Sequence, residues 1–183
     1  MTASNDRILT THAGSLPRPD ALMDLLQARD RGEDYDADEP QQPVKAAVDD
    51  VVDHQAAIGI DLITDGEMSK IGYGAYVKER LTGFDGEEAP RLRSADLEDF
   101  PTYFKRLYGP EGIDKMTRPL CTGPIAYVGE AALAEDIANL KAATAGVEAA
   151  GTFLTAASPG TIALWLGDAH HGDEETYVGA IAE

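Results

Sequence analysis

Apolar residues recur along this chain as helical stripes that alternate with short apolar runs. The clearest stripe follows Pro43 and keeps the i, i+3, i+4, i+7 spacing of one helical face. Its members are Val44, Ala47, Val48, Val51, Val52 and Ala56. Pro43 suits the first turn of this helix, and Gly59 suits the position just past its end. Further helices are predicted over residues 20–29, 73–81, 129–150 and 174–183.

Four short apolar or β-branched runs predict strands at residues 7–11, 60–64, 119–122 and 152–156. Strands that alternate with helices at this spacing are typical of parallel βα units, so the predicted fold class is α/β. A closed (β/α)₈ barrel typically needs ~250 residues and eight strands. An open, flavodoxin-like sheet needs fewer strands, and periodicity alone leaves both architectures open.

Two irregular segments interrupt this alternation. Residues 32–42 are acidic, contain a proline and are predicted to form a solvated loop. Residues 83–119 are rich in prolines and aromatics, and we expect an excursion such as a β-hairpin there. Neither segment is a linker between domains in this interpretation, because 183 residues with 43% hydrophobic content suit one globular domain over residues 1–183.

Charge narrows the possible partners. Acidic residues outnumber basic ones 33 to 15, which gives a formal charge of −18. This self-repulsion argues against nucleic acid and against anionic membrane surfaces. Residues 1–11 have no signal-peptide character, and no segment approaches the roughly 20 apolar residues of a membrane-spanning helix. A cytoplasmic protein is therefore predicted.

Each predicted strand ends in a polar loop that contains glycine, at residues 12–15, 65–67, 122–124 and 158–160. Ligands bind at the carboxyl ends of strands in parallel α/β folds, so the four loops predict a small-molecule site. Gly14 and Ser15 offer backbone and hydroxyl donors to a carboxylate or sulfonate, although a tight turn before Pro17 explains them equally well. Glu67 is a candidate for binding a substrate ammonium group. Asp65 has the same option, but capping of the following helix is the favoured role.

The remaining candidates are weaker. His12 either contacts the ligand or hydrogen-bonds within its own loop, and His54 is expected to be solvated. Residues 168–173 contain two histidines and two aspartates, but adjacent histidines point in different directions, so a surface loop is predicted. Cys121, the one cysteine, is expected to pack within a buried strand. No cysteine–histidine spacing fits zinc, so neither a metal site nor a catalytic residue is predicted in this chain.

Three segments together resemble a known family. The motifs ILTTHAGSLPRP, GIDLITDGEMSKIGYGAYVKERLTGFDG and PLCTGPIAY, in this order, are similar to the cobalamin-independent methionine synthases, in particular the single-barrel members. The resemblance implies a TIM (β/α)₈ barrel, of which this chain would form the N-terminal half. It also implies methyl transfer to the thiol of homocysteine. Gly14 and Ser15 would then bind the amino-acid carboxylate and Glu67 its ammonium group, while Thr122 and Gly123 would line the same rim.

The resemblance also implies that these residues lack the zinc ligands of the family. The zinc ligands of the family, a His-x-Cys pair, a glutamate and a further cysteine, belong to the second half of the barrel. The chain would therefore not bind the catalytic zinc or activate a thiol without a partner. A half barrel would also expose unpaired sheet edges, so it would pair with a separately encoded second half, self-associate or be a fragment of a longer protein. The methyl donor would be a methylated folate or a methyl-corrinoid. Two alternatives stay open: alkyl transfer from epoxides to coenzyme M, and a non-catalytic half barrel that binds a small molecule. Glu67 favours an amino-acid thiol over coenzyme M, which has no amino group.

Overall fold

A computed structural model describes residues 7–30, 33, 41–88, 95, 99–108 and 118–183. The chain divides into a first unit, Met1–Ala75 with Gly129–Ala156, and a second unit, Tyr76–Val128 with Ala157–Glu183. The prediction that residues 1–183 form one domain stays a prediction. In chain order the elements are α1 (Asp20–Asp30), α2 (Gln41–Ala57), β1 (Leu62–Ile63), α3 (Tyr73–Arg80), β2 (Gly86–Glu88), α4 (Pro101–Tyr108), β3 (Arg118–Cys121), α5 (Glu130–Ala143), β4 (Gly151–Thr152), α6 (Pro159–Trp165), β5 (Gly167–Asp168) and α7 (Glu174–Ala182).

The first unit is built around β1, which pairs in parallel with β4. Helix α2 packs against α5, and its apolar stripe enters the core as predicted. The buried members of this core come from α1, α2, α5 and the β1 region: Leu22, Leu26, Val44, Ala47, Val48, Val51, Val52, Ile63, Met68 and Leu140. Burial of such side chains stabilises by about 1.5–3 kcal/mol each, so this apolar face holds the unit together.

The start of β1 is tied to the segment before α1 by a carboxylate. Asp61 accepts hydrogen bonds from the backbone N–H (2.8 Å) and hydroxyl (3.0 Å) of Thr10, and it pairs with the guanidinium of Arg7. The Arg7 hydrogen bond and the Thr10 donors hold the pKa of Asp61 well below its usual range. Thr11 then forms a parallel bridge to Leu62, which is the single strand pairing in the predicted strand at residues 7–11.

The end of β1 is tied to α2 by a buried amide. Gln55 is 2% exposed, and its Nε2 donates to the carbonyl oxygens of Thr64 (2.8 Å) and Val51 (3.1 Å). Its Oε1 accepts from the Thr64 backbone N–H at 3.1 Å. This polar residue lies within an otherwise apolar helix face and satisfies both backbone groups of the residue that follows β1.

The second unit contains a mixed sheet in which β2 is antiparallel and β5 parallel to β3. Gly83 lies so close to Gly123 that a Cβ at residue 83 would be 2.7 Å from the Gly123 carbonyl oxygen, and its φ is +87°. Glycine at position 83 therefore lets the two segments approach. The buried core of this unit comprises Val77, Phe84, Cys121, Ile162, Leu166 and Tyr177.

The predicted α/β class with parallel strands is confirmed, but several boundaries differ. The strands are two to four residues long, because only these residues form ladder hydrogen bonds. The helix predicted over residues 129–150 ends at Ala143, with Thr144 as the C-cap, whose backbone N–H (3.0 Å) and hydroxyl (2.7 Å) both donate to the Leu140 carbonyl. The loop predicted at residues 158–160 was wrong: Ser158 accepts from the Thr161 N–H as the N-cap of α6. Neither α6 nor β5 was predicted.

The two irregular segments are described only in part. Within residues 83–119 the structure has β2, which pairs antiparallel with β3, and α4, which lies between these two strands in the chain. Residues 89–94, 96–98 and 109–117 lie outside the described part of this segment. Of the loop predicted at residues 32–42, Glu33 is described and α2 has begun by Gln41. No helix in the described ranges is long and apolar enough to cross a membrane.

Replacing Gln55 by alanine should destabilise the first unit, because both backbone groups of Thr64 would be buried without this partner. We expect the free energy of unfolding to fall by about 1–3 kcal/mol, measured by urea unfolding. His54 is exposed on the same helix, so His54→Ala is the matched control and should change stability by less than about 0.5 kcal/mol. Equal stabilities for the two variants would contradict an anchoring role for Gln55.

Candidate functional site

The loop after β1 makes a turn that few sequences adopt. Gly66 and Glu67 both have left-handed backbones, with φ of +63° and +59°. For a residue with a side chain this conformation is uncommon and costs on the order of 1–3 kcal/mol when strained. Three hydrogen bonds hold the turn: Gly66 N–H to Thr64 Oγ1 (3.1 Å), Glu67 N–H to Asp65 Oδ1 (3.0 Å) and Leu16 N–H to the Gly66 carbonyl (3.0 Å). The turn fixes the direction of the Glu67 side chain.

The Glu67 carboxylate is held by two hydroxyl groups. Ser15 Oγ donates to Oε2 at 2.5 Å, and Thr155 Oγ1 donates to Oε1 at 2.6 Å. Glu67 is 6% exposed, and burial by itself raises its pKa. The hydroxyl donors and the positive charges of Lys70 and Arg18 outweigh that effect, so the pKa of Glu67 lies below its ordinary value. The carboxylate is therefore ionised at neutral pH.

Two partly or fully buried cations accompany this carboxylate. Lys70 Nζ donates to the Thr155 carbonyl at 3.0 Å, and Arg18 Nη2 donates to the Glu67 carbonyl at 2.7 Å. Burial lowers the pKa of the Arg18 guanidinium although the carboxylates of Glu67 and Asp65 act to raise it. Both cations bond to the backbone of the residues that shape the site, which positions these residues and also supplies compensating charge.

Asp65 supports the turn. It is 2% exposed, and its Oδ1 accepts the backbone N–H of Glu67. Burial raises the pKa of Asp65, whereas the Glu67 N–H and the Lys70 charge lower it, and the net direction is upward. Asp65 therefore caps the turn at residues 66–69. It does not cap α3, the helix that follows in the chain, because α3 begins at Tyr73.

The loop before α1 offers donors beside Glu67. Gly14 has a φ of +85°, and within the described part of the chain the backbone N–H groups of Gly14 and Ser15 have no acceptor. The single hydroxyl proton of Ser15 is committed to Glu67, so only its backbone remains for an anion. His12 is half-buried, and its Nε2 is buried without a partner among the described residues.

The structure brings part of the predicted set together. His12, Gly14, Ser15, Asp65 and Glu67 lie in the first unit. Thr122 and Gly123 lie in the second unit, where the Thr122 N–H donates to the Gly83 carbonyl at 2.8 Å and the Gly123 carbonyl accepts from Cys121 Sγ at 3.3 Å. The ligand-binding roles assigned to these seven residues stay predictions.

Sequence reasoning missed Thr155, Arg18 and Lys70. Thr155 lay inside a predicted strand. The alternating direction of side chains along a strand could have identified it, because Leu154 packs on the core and Thr155 faces the other way. Arg18 was present in the first motif without an assigned role. No local pattern distinguishes Lys70 from an ordinary surface lysine.

A second polar cluster lies in the second unit. Cys121 Sγ, a ring nitrogen of His171 and a carboxylate oxygen of Asp168 all lie within 4.8 Å of one another. Cys121 is fully buried, as predicted, and burial is the main cause that raises its thiol pKa. His170 is exposed, as expected for the predicted surface loop. Its neighbour His171 is only 10% exposed and does not lie on the surface.

The zinc ligand set implied by the resemblance does not fit these residues. The sequence has one cysteine and no His-x-Cys pair. The Cys121, Asp168 and His171 cluster differs from that set in composition and spacing. The zinc ligand set that the resemblance implies is therefore incomplete within these 183 residues.

Comparisons with known proteins agree with the motifs. Residues 8–154 match the family described as cobalamin-independent synthase, catalytic domain. A methionine synthase of Sulfolobus acidocaldarius is 40% identical over 75 residues, and one of Sulfurisphaera tokodaii is 37% identical over 75 residues. Each alignment covers 41% of this chain and 22% of the relative.

The fold has a solved counterpart. A B12-independent methionine synthase from a Shewanella species, solved in complex with selenomethionine, aligns with a TM-score of 0.62 at 19% identity. The alignment covers 94% of this chain and 44% of that structure. The chain thus spans less than half the length of the proteins it matches.

The stability contributed by Glu67 should depend on pH. Because its folded-state pKa is lowered, the ionised carboxylate adds stability above about pH 4.3, its unfolded value, and this contribution is lost as pH falls through the folded-state value. We expect Glu67→Gln to be less stable than wild type at neutral pH, with a difference that begins to shrink near the unfolded pKa and closes as pH falls through the lower folded-state pKa. Urea unfolding across a pH series measures this difference.

The control for this series is Glu148→Gln, because Glu148 belongs to the same unit and is exposed. It should follow wild type at every pH. A destabilisation by Glu67→Gln that stays constant from neutral pH to pH 3 would contradict the hydroxyl-stabilised carboxylate.

Proposed function

This chain belongs to the cobalamin-independent methionine synthase family, and from this premise we propose that it supplies the amino-acid-binding side of a site for methyl transfer to the thiol of homocysteine. The observation that carries the proposal is the ionised, 6%-exposed carboxylate of Glu67 in its left-handed turn. A carboxylate held in place before any ligand arrives is the group that an amino-acid ammonium requires.

The chemistry of the first unit supports this role. Each oxygen of Glu67 accepts one hydroxyl hydrogen bond, which leaves lone pairs for an ammonium donor. The backbone N–H groups of Gly14 and Ser15 lie on the loop whose hydroxyl contacts Glu67, and they suit the α-carboxylate of the same ligand. Together these groups match the zwitterionic end of homocysteine, with its thiol directed away from them.

We assign no thiol activation to this chain, because it lacks the zinc ligand set implied by its family resemblance. A second copy of the chain would lack the same ligands, so self-association does not supply them. A polypeptide segment outside these 183 residues, carrying the second half of the barrel, is therefore the partner we propose. The 44% coverage of the solved relative supports this proposal.

Coenzyme M is the competing thiol within the family. It carries a sulfonate and no ammonium group, so a preformed, buried carboxylate gives it nothing to bind. Its negative charge would also be opposed by Glu67 and by the formal charge of −18. Homocysteine is the better match on both counts.

Glu67→Gln should weaken homocysteine binding by about 1–3 kcal/mol, the scale of a lost charged hydrogen bond. Isothermal titration of the chain, alone and with the second half added, measures the dissociation constant. 4-Mercaptobutanoate, which has the thiol and carboxylate but no amino group, should lose no affinity in Glu67→Gln and should bind the variant at least as tightly as wild type, because a repelling carboxylate is removed.

The matched control is Glu148→Gln, which should bind homocysteine as wild type does. Equal homocysteine affinity in wild type and Glu67→Gln would remove Glu67 from the site. Tighter binding of coenzyme M than of homocysteine would shift the assignment to epoxide opening.

Co-expression with a polypeptide carrying the remaining barrel strands should give a stable one-to-one complex by native mass spectrometry. We expect this complex, and neither part alone, to contain about one equivalent of zinc in the second-half site and to form methionine from homocysteine with a methylated folate or methyl-corrinoid. A complex that binds homocysteine and transfers no methyl group from either donor would favour the non-catalytic alternative.

A further inference from the structure

We propose that Cys121, Asp168 and His171 form a binding site for a zinc-like divalent cation, built from residues other than Glu67 and its partners. The three side chains supply one sulfur, one oxygen and one nitrogen ligand within 4.8 Å of one another. All three belong to the second unit, whereas Glu67 and its partners belong to the first. The inference therefore does not depend on the function proposed above.

The sheet brings these side chains together. Cys121 ends β3 and Asp168 ends β5, and the parallel register pairs these two residues directly. The Ala169 N–H donates to the Cys121 carbonyl at 2.8 Å, which fixes the exit of the chain from β5. In the turn that follows, the His171 N–H donates back to the Asp168 carboxylate at 3.0 Å, which places His171 beside the ends of both strands. The arrangement thus rests on backbone pairing as well as on the side chains.

The carboxylate of Asp168 is oriented before any ion binds. It accepts backbone N–H groups from His170 (3.2 Å), His171 (3.0 Å) and Gly172 (3.3 Å). Hydrogen bonds of this kind fix the direction of ligating carboxylates in metal sites. The His171 ring also lies against Tyr177, with 5.6 Å between ring centroids, which limits its rotation.

The geometry favours a metal over a nucleophilic triad. In a Cys–His–Asp triad the two ring nitrogens face different partners, one the nucleophile and the other the carboxylate. Here the same atom, His171 Nδ1, lies 2.8 Å from Asp168 Oδ1 and 3.9 Å from Cys121 Sγ. One nitrogen directed toward both a sulfur and an oxygen is the arrangement that a shared cation requires.

The ligand types select the class of ion. Thiolate and imidazole favour Zn²⁺ and Co²⁺ over Mg²⁺ and Ca²⁺, which prefer oxygen. On binding, the Cys121 thiol releases its proton to solvent and the sulfur bonds to the metal. Three protein ligands leave a fourth position for water, as in open zinc sites. Of the three side chains, Asp168 lines a surface pocket of about 350 Å³, so an ion would reach the cluster from the Asp168 side.

Co²⁺ titration of the purified 183-residue chain, under reducing conditions, tests the site. We expect one Co²⁺ per chain with a thiolate-to-cobalt charge-transfer band, which can come only from Cys121 because the chain has no other cysteine. Zn²⁺ should displace the Co²⁺ and abolish the band. Cys121→Ser should lose the band, and His171→Gln should weaken binding by about 10–100-fold or more.

His170→Gln is the matched control, because His170 is adjacent in sequence but exposed, and it should retain the wild-type band and affinity. Asp168→Asn provides a third variant that keeps Cys121 in place, should Cys121→Ser fail to fold by circular dichroism. Co²⁺ binding without a thiolate band, or equal affinity in wild type, His171→Gln and Asp168→Asn, overturns the proposal. Loss of homocysteine binding in Glu67→Gln leaves the cobalt band unchanged, so the two proposals fail separately.

Discussion

A buried carboxylate is tolerated only where donors and counter-charges surround it, and Glu67 imposes this demand on three segments of the chain. The loop before α1 contributes the hydroxyl of Ser15, and the residues after β4 contribute that of Thr155. Arg18 and Lys70 add positive charge near the carboxylate. Arg18 donates a hydrogen bond to the backbone carbonyl of Glu67, and Lys70 donates one to the backbone carbonyl of Thr155. Because any one of these contacts would be weak alone, the carboxylate and its donors stabilise one another, and the first unit is organised around them.

The strand that presents Glu67 is too short to be stable by itself, since β1 has two residues. Neighbouring residues supply the hydrogen bonds and the strand pairing that stabilise it. Asp61 ties its start to Thr10, β4 pairs along its edge, and Gln55 satisfies both backbone groups of the residue after it. The left-handed turn is therefore built on a strand fixed on several sides, which is what a strained conformation needs in order to persist.

The sequence predicted the features that depend on local pattern. The stripe of α2 followed from its periodicity, and Glu67 followed from its place after a strand next to glycine. The partners did not follow: Thr155 is 88 residues from Glu67, and His171 is 50 residues from Cys121. Such pairs depend on which strands lie side by side and in what register, and no local pattern encodes this. The end of α5 at Ala143 was missed because the apolar spacing continues to Val147, whereas the backbone there forms i→i−3 turn bonds, from the Ala145 N–H to Ala142 and from the Val147 N–H to Thr144.

The same structural rule operates in both units with different chemical results. In each unit two parallel strands end together, β1 with β4 and β3 with β5, and side chains at or just beyond those ends meet. In the first unit the residues that meet are a carboxylate and hydroxyl donors, which satisfy one another and leave an ionised group suited to a cationic or zwitterionic ligand. In the second unit they are a thiol, an imidazole and a carboxylate, which bond to one another and to nearby backbone groups and are ligand types of the divalent cation that we propose there. With a formal charge of −18 the chain as a whole favours positive charge, and the two ligands that we propose have in common a positively charged group and differ in its softness.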